Sequence, residues 1–231
     1  GLKAHSGNHR IVAGKPLPEA LLAENPDEVH EGGANLRKQI ENVRIHGVSP
    51  VVAINRFPED YDADLEAIAE IAEECGARCA ITNHFSQGGE GASELAEAVA
   101  EATEEKTSFS VLYPDEMDIK EKIKTVATKV YGAENVEFSA AATKQIDSYT
   151  ENGFGNLPVC IAKTHLSVSS DASLKGAPTG WTLPVREVRA SIGAGFVYPI
   201  CGEMRTMPGL GKNPAAASID IDENGEIVGL S

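Results

Sequence analysis

The sequence predicts an α/β protein in which a parallel sheet unit precedes a smaller region of mixed α and β structure. Strand-like and helix-like segments alternate up to about residue 107, and such alternation builds parallel sheets flanked by helices. The run at 50–55 is apolar at successive positions, as in strands that are buried on both faces. Beyond residue 107, two helical segments come first, and β-rich segments with many glycines and prolines follow.

The first region contains two predicted strands and four predicted helices. The helix placed after the Gly32-Gly33 pair carries Leu36, Ile40 and Val43 at the i, i+4, i+7 spacing of one helix face. In chain order, the elements are a short helix after 16–18, a helix after Gly32-Gly33, a strand at 50–55, a helix from about Asp62, a strand at 79–82 and an acidic helix after Gly88-Gly89.

Two strands are too few for a free-standing parallel sheet, whose inner strands are covered on both faces. We therefore predict an incomplete, parallel, Rossmann-like or P-loop-type sheet unit at 1–106 and a smaller mixed α+β domain at 107–231. Either a partner chain supplies the missing strands, or the second domain covers the sheet. Ligands of such sheets bind beyond the carboxyl ends of the strands, which directs attention to the loops at 55–58 and 83–89.

The second region predicts two helices and two β-rich segments. Its first helix ends near Gly132, and the second spans about 140–151. The β-rich segments are 157–162 and 181–188. The apolar positions of the first helix are Ile119, Ile123, Val126, Ala127 and Val130.

The charge of the chain excludes some partners. Its 231 residues carry a formal net charge of −15, so non-specific binding to nucleic acid or to an anionic membrane is not expected. Residues 59–106 hold 14 acidic and only 2 basic side chains, mostly on the predicted helices. Solvated, solubilising helix faces are the ordinary explanation of such a stretch.

The cysteines favour a reducing compartment over a metal site. The opening residues lack the charged and apolar regions of a secretory signal, so we expect free thiols in the cytoplasm. Cys75 and Cys79 lie near His84, but no second pair completes a tetrahedral set, and we expect no metal. The pattern places Cys75 at a helix end and Cys79 at a strand start.

Asn55 and two aromatic residues are the main site candidates. Asn55 ends the first strand, where its amide could pair with a nucleotide base or simply satisfy its own loop backbone. Phe57, followed by Pro58, and Phe85 come directly after the two strands. They predict a flat slot for a planar heterocycle, with core packing as the alternative.

Other candidates carry weaker signals. Gly88 and Gly89, with Gln87, are possible loop contacts, as is Lys163, which follows the segment 157–162 and could touch an anion or be solvated. The glycine-rich run at 153–158 precedes its strand, so we reject it as a phosphate loop.

Arg186 and Arg189 stand three apart in a predicted strand, hence on opposite faces, and cannot form one clamp unless the strand bulges. No catalytic residue stands out with confidence.

Long runs across the chain resemble the C-terminal portion of formate–tetrahydrofolate ligases. The runs are LKAH at 2–5, LRKQIEN at 36–42, PVVAINRF at 50–57, GFGNLPVCIAKTHLS at 153–167, RASIGAGF at 189–196 and TMPGL at 206–210. The first run is similar to the end of a family signature, RALKxHGG, with Ser6 in place of the first of its two glycines.

The resemblance implies an enzyme that joins formate to tetrahydrofolate with ATP and Mg²⁺, by way of formyl phosphate. In that family two aromatics sandwich the pterin ring, and they match Phe57 and Phe85, the latter replacing a Trp. A Phe keeps the stacking face but loses area and the indole N–H, so folate affinity is expected to be lower but not abolished.

The resemblance also implies that part of the enzyme lies elsewhere. The family's P-loop and formyl-phosphate residues lie upstream of the matched region, and this chain contains no GxxxxGK[ST] motif. We expect residues 1–106 to be the C-terminal part of the nucleotide- and folate-binding domain, inactive without an N-terminal P-loop part. The complete enzyme is expected to be a homo-oligomer, as bacterial members form tetramers.

A non-catalytic folate-binding or assembly module is the alternative. The roles of Lys163, Arg186, Arg189 and the Met207-Pro208 loop stay open.

Overall fold

The structure, a computed structural model, describes residues 1–12, 14–202 and 212–229. Its helices are α1 (Leu2–His5), α2 (Glu19–Leu22), α3 (Pro26–Arg44), α4 (Asp62–Glu74), α5 (His84–Gln87), α6 (Ser93–Glu104), α7 (Ile119–Lys129) and α8 (Ala140–Glu151), with 3-10 turns at Glu90–Ala92, Ile192–Ala194 and Ala215–Ala217. Its strands are β1 (Val51–Asn55), β2 (Arg78–Thr82), β3 (Asn135–Phe138), β4 (Thr182–Val185), β5 (Glu187–Ser191), β6 (Phe196–Ile200), β7 (Asp220–Ile221) and β8 (Ile227–Val228). Within these ranges, no helix combines the length and the apolarity that crossing a bilayer demands.

The strands pair into short sheets of both kinds, so the fold is mixed α/β. Strands β1 and β2 are parallel, as are β3 and β4. Strands β5 and β6, like β7 and β8, are antiparallel. In the part of the chain that the structure describes, each of these sheets has two strands.

Both predicted strands of the first region are confirmed, but β1 is not enclosed. Ile54 is buried, whereas Ala53 and Asn55 are exposed. Among the described residues β1 pairs with β2 alone. The sequence of β1 is therefore more apolar than its partial exposure in this structure requires.

The helix expected after Gly32 and Gly33 begins earlier, so that prediction is wrong at its start. Helix α3 begins at Pro26, where Asn25 caps it by accepting a 3.1 Å hydrogen bond from the Glu28 N–H. Proline is favoured in the first turn because its missing N–H would have no partner there. Both glycines are buried inside the helix.

The two glycines allow three helices to pack closely. A methyl group on Gly32 would overlap the Leu2 carbonyl oxygen of α1, and one on Gly33 would lie 2.8 Å from the Cδ1 atom of Ile71 on α4. Glycine costs helix propensity. Here the cost is offset by burial of the apolar cluster Val29, Ala67 and Ile71, with Leu2, Leu36 and Ile68 against it.

The β-rich segments of the second region are organised differently from the prediction. Segment 157–162 forms no strand and makes only two bridges, Val159 with Val197 and Ala162 with Ile200. Segment 181–188 divides at Arg186 into β4 and β5, which belong to different sheets. Strands β3 and β6 had not been predicted, because β3 has only four residues and β6 contains Pro199.

The buried side chains form separate clusters in the two regions. The largest cluster draws its buried members from residues 119–201, around α7, α8 and strands β4 to β6. The two smaller clusters draw theirs from residues 29–77. Segment 108–110 connects to the first region through hydrogen bonds from Ser108 N to the Gly47 carbonyl and from Ser110 N to the His46 carbonyl, both 3.1 Å long. A division at residue 107 stays a prediction.

Candidate functional site

The two parallel strands bring the predicted site loops together. Asn55 and Thr82 are the last partners of the β1–β2 ladder. The Arg56 N–H continues the pairing with a 3.0 Å hydrogen bond to the Thr82 carbonyl. The loop at 56–61 and helix α5 therefore begin side by side.

The rings of Phe57 and Phe85 contact each other. Their centroids are 5.0 Å apart and their planes are inclined by 56°. Both are exposed, by 48% and 62%, so they are not core residues. A third ring sandwiched between two others needs about 7 Å between the flanking faces, twice a carbon–carbon contact. At the observed separation no planar heterocycle fits between them.

A tight turn holds Phe57. Its N–H donates a 2.8 Å hydrogen bond to Oδ2 of Asp60, and the Asp60 N–H donates a 3.1 Å bond to the Phe57 carbonyl. Pro58 occupies the second position of this turn, where its fixed φ is favourable. Arg56 ties the loop to α4 through a 2.6 Å contact from Nη2 to Oδ1 of Asp62.

Phe85 lies on the four-residue helix α5, which is attached less extensively. The Asn83 N–H donates to the Gly91 carbonyl (2.8 Å), and the buried Thr82 hydroxyl lies 2.9 Å from Nδ1 of His84. Gly91 is required here, since a side chain would come within 2.6 Å of the Asn83 backbone.

A cavity of about 710 Å³ adjoins these rings. Its walls are mainly apolar and come from α1, α2, α3, α4 and the end of β1. Four predicted residues line it, namely Asn55, Phe57, Pro58 and Phe85. The structure thus places the main candidates around one space.

Asn55 faces this cavity with its hydrogen-bonding capacity free. Its side chain is exposed, and no described residue bonds its amide. The alternative that it satisfies its own loop backbone is therefore not observed. The amide offers two donors and one acceptor to the edge of a heterocycle.

A largely buried ion pair at the cavity wall was missed by sequence reasoning. Lys3 Nζ lies 2.6 Å from Oδ2 of Asp64 and donates to the Ala23 carbonyl at 2.7 Å. The other Asp64 oxygen accepts from the Asn25 N–H at 2.9 Å. Sixty-one residues separate the two charges, and no local pattern links them. Lys3 is the only cationic side chain among the described residues of the cavity wall, and it is already paired.

The remaining loop candidates lie elsewhere. Gln87, Gly88 and Gly89 are exposed at the end of α5 and do not line the cavity. Lys163 donates to the carbonyls of Thr164, Ser167 and Ser169 at 2.6–3.1 Å.

The Lys163 ammonium also lies 4.7 Å from the centre of the Tyr131 ring. Burial lowers the pKa of Lys163. With all three of its donors occupied, Lys163 organises its own loop instead of meeting an anion.

The rejected glycine-rich run has a structural partner. Lys122 is fully buried on α7 and donates to the carbonyls of Gly155 and Leu157 at 3.0 and 3.1 Å. Desolvation lowers the pKa of Lys122. The run thus presents carbonyls to a cation, the opposite of a phosphate cradle, which needs N–H groups.

Arg186 and Arg189 converge, contrary to the prediction that they point apart. Nη2 of each arginine lies near Oε1 of Glu187, at 3.2 and 3.1 Å. Arg186 lies at the break between β4 and β5, so strand alternation does not apply across it. Hydrogen bonds to Glu187, mainly from Arg189 and also from Arg186, lower the pKa of this carboxyl group. The carboxylate that the two arginines share offsets part of their charge.

The Met207-Pro208 loop, whose role was left open, lies outside the described residues.

The cysteines all carry free thiols. Cys75 ends α4 and Cys79 lies in β2, at the positions predicted. No group of three or more His, Cys, Asp or Glu side chains in the described ranges is arranged to hold a metal ion.

Comparison with known proteins gives one family. A family model for formate–tetrahydrofolate ligase matches residues 1–231. A formate–tetrahydrofolate ligase of Saccharopolyspora erythraea is 66% identical over 100% of this chain and 41% of its own length. Formate–tetrahydrofolate ligase 3 of Rubrobacter xylanophilus is 58% identical over 99% of this chain and 42% of its own, and the ligase of Cutibacterium acnes 55% identical over 99% and 41%. The chain thus spans about two fifths of the length of these curated relatives, and it belongs to the formate–tetrahydrofolate ligase family.

Proposed function

We propose that this chain supplies the pterin-binding part of an ATP-dependent ligase that makes 10-formyltetrahydrofolate from formate and tetrahydrofolate by way of formyl phosphate. The observation that supports it most is the grouping of Phe57, Phe85 and Asn55 around one cavity of about 710 Å³. The names of the relatives support the substrates.

The pterin slot forms when the two rings separate. Phe57 is held by its turn with Asp60, whereas Phe85 is 62% exposed on a helix of four residues. Phe85 is therefore the ring that moves, and the pterin takes the space between them. Offset stacking on both faces then replaces the contact between the rings.

Asn55 binds the edge of the heterocycle that stacks beside it. Its unpaired amide lies on the same cavity wall as Phe57 and Pro58. An amide offers the donor and acceptor pair that matches the amino and ring nitrogen atoms of a pterin or a purine. We assign it to the pterin, because the aromatic rings share that cavity.

ATP and Mg²⁺ belong to another part of the enzyme. Phosphates need concentrated N–H donors and positive charge. Lys3 is the one cationic side chain among the described residues of the cavity wall, and Asp64 neutralises it. The residues present therefore do not fit a triphosphate. We infer that the P-loop lies in the part of the enzyme that this chain does not cover.

That missing part also completes the sheet. Strand β1 has one partner among the described residues although its sequence is that of an inner strand. We infer that residues 1–106 are the end of a Rossmann-like or P-loop-type sheet whose other strands come from the P-loop part. Residues 107–231 then form the mixed α+β domain of a cytoplasmic homo-oligomer.

A folate-binding or assembly module without catalysis is the second candidate. The pairing of Lys3 with Asp64 favours it, because the one cationic side chain among the described residues of the cavity wall is not available to an anionic substrate. Mixing the chain with a separately expressed P-loop part, and assaying ATP- and formate-dependent formation of 10-formyltetrahydrofolate, separates the two. Product from the mixture and from neither part alone supports the ligase. Folate binding by the chain without product in the mixture contradicts it.

A further inference from the structure

A second cleft lies away from the candidate folate cavity. It has a volume of about 1020 Å³ and opens where the end of α3, the segment 109–116 and α7 meet. None of the residues singled out for the pterin site lines it. The cleft therefore needs its own explanation.

The walls of this cleft suit a flat, apolar body. Six of the 15 lining residues are valines, among them Val43, Val111 and Val126. The ring of Phe109 stacks on that of His46, with centroids 6.2 Å apart and planes inclined by only 20°. A 3.1 Å hydrogen bond between Nδ1 of His46 and the Ser110 carbonyl fixes this pair. Phe109 is 66% exposed, so its outer face is free for stacking.

A buried acceptor without a partner lies in the wall. The Asn42 amide nitrogen donates to Oε1 of Gln39 at 3.3 Å, but Oδ1 of Asn42 is buried and has no hydrogen-bond partner among the described residues. Buried acceptors are nearly always satisfied, and an orphaned one costs free energy. An N–H group of a molecule in the cleft would satisfy it.

The charge of the cleft is negative. Asp115 and Glu116 line it, and no Lys or Arg among the described residues does. Lys122 lies outside the lining and donates to the carbonyls of Gly155 and Leu157, but its ammonium also interacts electrostatically with Asp115 and Glu116 and offsets part of their charge. Two carboxylates against one buried ammonium leave the cleft net negative, and such a site attracts cations and disfavours anions.

We propose that this cleft is a binding site for a planar organic cation that carries N–H donors. The ring stacks on Phe109, an N–H binds Oδ1 of Asn42, and Asp115 and Glu116 balance the charge. Phosphates, carboxylates and the anionic tail of a folate are excluded by the same charges. The proposal is independent of the pterin site, since the two cavities share no lining residue.

Proflavine, a planar diamino cation, is a suitable probe, and fluorescein, a planar anion, is its control. Titrations of the 231-residue chain followed by fluorescence polarisation should give saturable binding of proflavine with one site per chain, and none of fluorescein. Absence of proflavine binding, or equal binding of both dyes, would overturn the proposal.

Filling the cleft should weaken the binding of proflavine. Val43 is 40% exposed at the end of α3, so Val43→Trp narrows the cleft without disturbing a core. We expect at least a tenfold loss of affinity. Val99→Trp is the matched control, because Val99 is 44% exposed on α6 and outside the cleft. Equal losses in the two variants would mean that the dye binds elsewhere.

Variants that keep the shape of the cleft should show what its polar side chains contribute to dye binding. Glu116→Gln is expected to weaken proflavine binding about threefold at low salt, whereas Glu151→Gln, the same change on α8 outside the cleft, leaves it unchanged. Asn42→Leu should weaken dye binding and at the same time raise the thermal midpoint of the dye-free chain. A lower thermal midpoint of Asn42→Leu with unchanged dye affinity would contradict the proposal. Loss of the proflavine sites of the parent chain at concentrations where its copies associate would contradict it as well.

Discussion

The backbone N–H of Phe57 donates a 2.8 Å hydrogen bond to Oδ2 of Asp60, and the N–H of Asp60 returns a 3.1 Å bond to the Phe57 carbonyl. The two bonds close the turn directly after β1 and fix the ring that starts the candidate pterin site. Because the partner ring has no comparable anchor, the site has one fixed side and one movable side.

Loss of the Asp60 carboxylate should loosen the fixed side. We expect Asp60→Ala to weaken tetrahydrofolate binding about three- to tenfold, the equivalent of one hydrogen bond. Asp60→Asn keeps an acceptor oxygen and should retain most of the affinity. Isothermal titration of both variants checks this, and equal affinities for Asp60→Ala and the parent chain would contradict it.

The glycine pair in α3 should be intolerant of side chains. Gly32→Ala forces a methyl group against the Leu2 carbonyl of α1, and the backbone of α1 cannot easily move away from it. Overpacking of this kind costs about 1–3 kcal/mol of unfolding free energy. Gly193→Ala, where nothing lies within 4 Å, is the control for urea unfolding. A more stable Gly32→Ala chain, as helix propensity alone predicts, would refute the packing described here.

The Lys3–Asp64 pair should respond to single and double replacement differently. Its side chains are only 13% and 11% exposed, so Lys3→Met leaves an unpaired carboxylate and should cost about 3 kcal/mol of unfolding free energy. Lys3→Met combined with Asp64→Leu should recover part of that loss. Urea unfolding of the parent chain, Lys3→Met, Asp64→Leu and the double variant gives the coupling free energy, and strictly additive losses would mean that the pair is not coupled.

Cys201 should make stability depend on alkaline pH. Burial raises the pKa of this thiol from its ordinary 9.0 to about 12. The folded state therefore keeps the proton that the unfolded state loses, so the contribution of Cys201 is complete below pH 9 and is lost as the pH rises toward 12. Urea unfolding at pH 8 and pH 10 should show a loss that Cys201→Ala reduces. Cys160→Ala is the control: the Cys160 thiol is exposed, so this variant should lose as much unfolding free energy between pH 8 and pH 10 as the parent chain.

Local pattern was enough to predict the elements that frame the site. Strands β1 and β2 and helix α4 follow from apolar runs and helical spacing, and the strand ends then place Asn55, Phe57 and Phe85 on one edge. A parallel pair fixes that neighbourhood without knowledge of side-chain contacts.

What escaped prediction depends on distant partners. Gly32 and Gly33 were placed before the helix, because glycine usually punctuates structure, but they lie inside it, where the backbone of Leu2 and the side chain of Ile71 leave no room for a side chain. Lys163 was predicted to touch an anion or to be solvated, because the three carbonyls that its ammonium binds are visible only in three dimensions.

Tetrahydrofolate binding by paired aromatic variants tests the central claim most directly. Phe57→Ala and Phe85→Ala should each weaken binding to the chain by about 1–3 kcal/mol, the range of base–aromatic stacking, and Phe85→Trp should strengthen it through its larger face. Phe109→Ala, an exposed aromatic in the other cleft, should leave binding unchanged. Undiminished affinity in both the Phe57→Ala and Phe85→Ala chains, measured by isothermal titration, would contradict the pterin site proposed here.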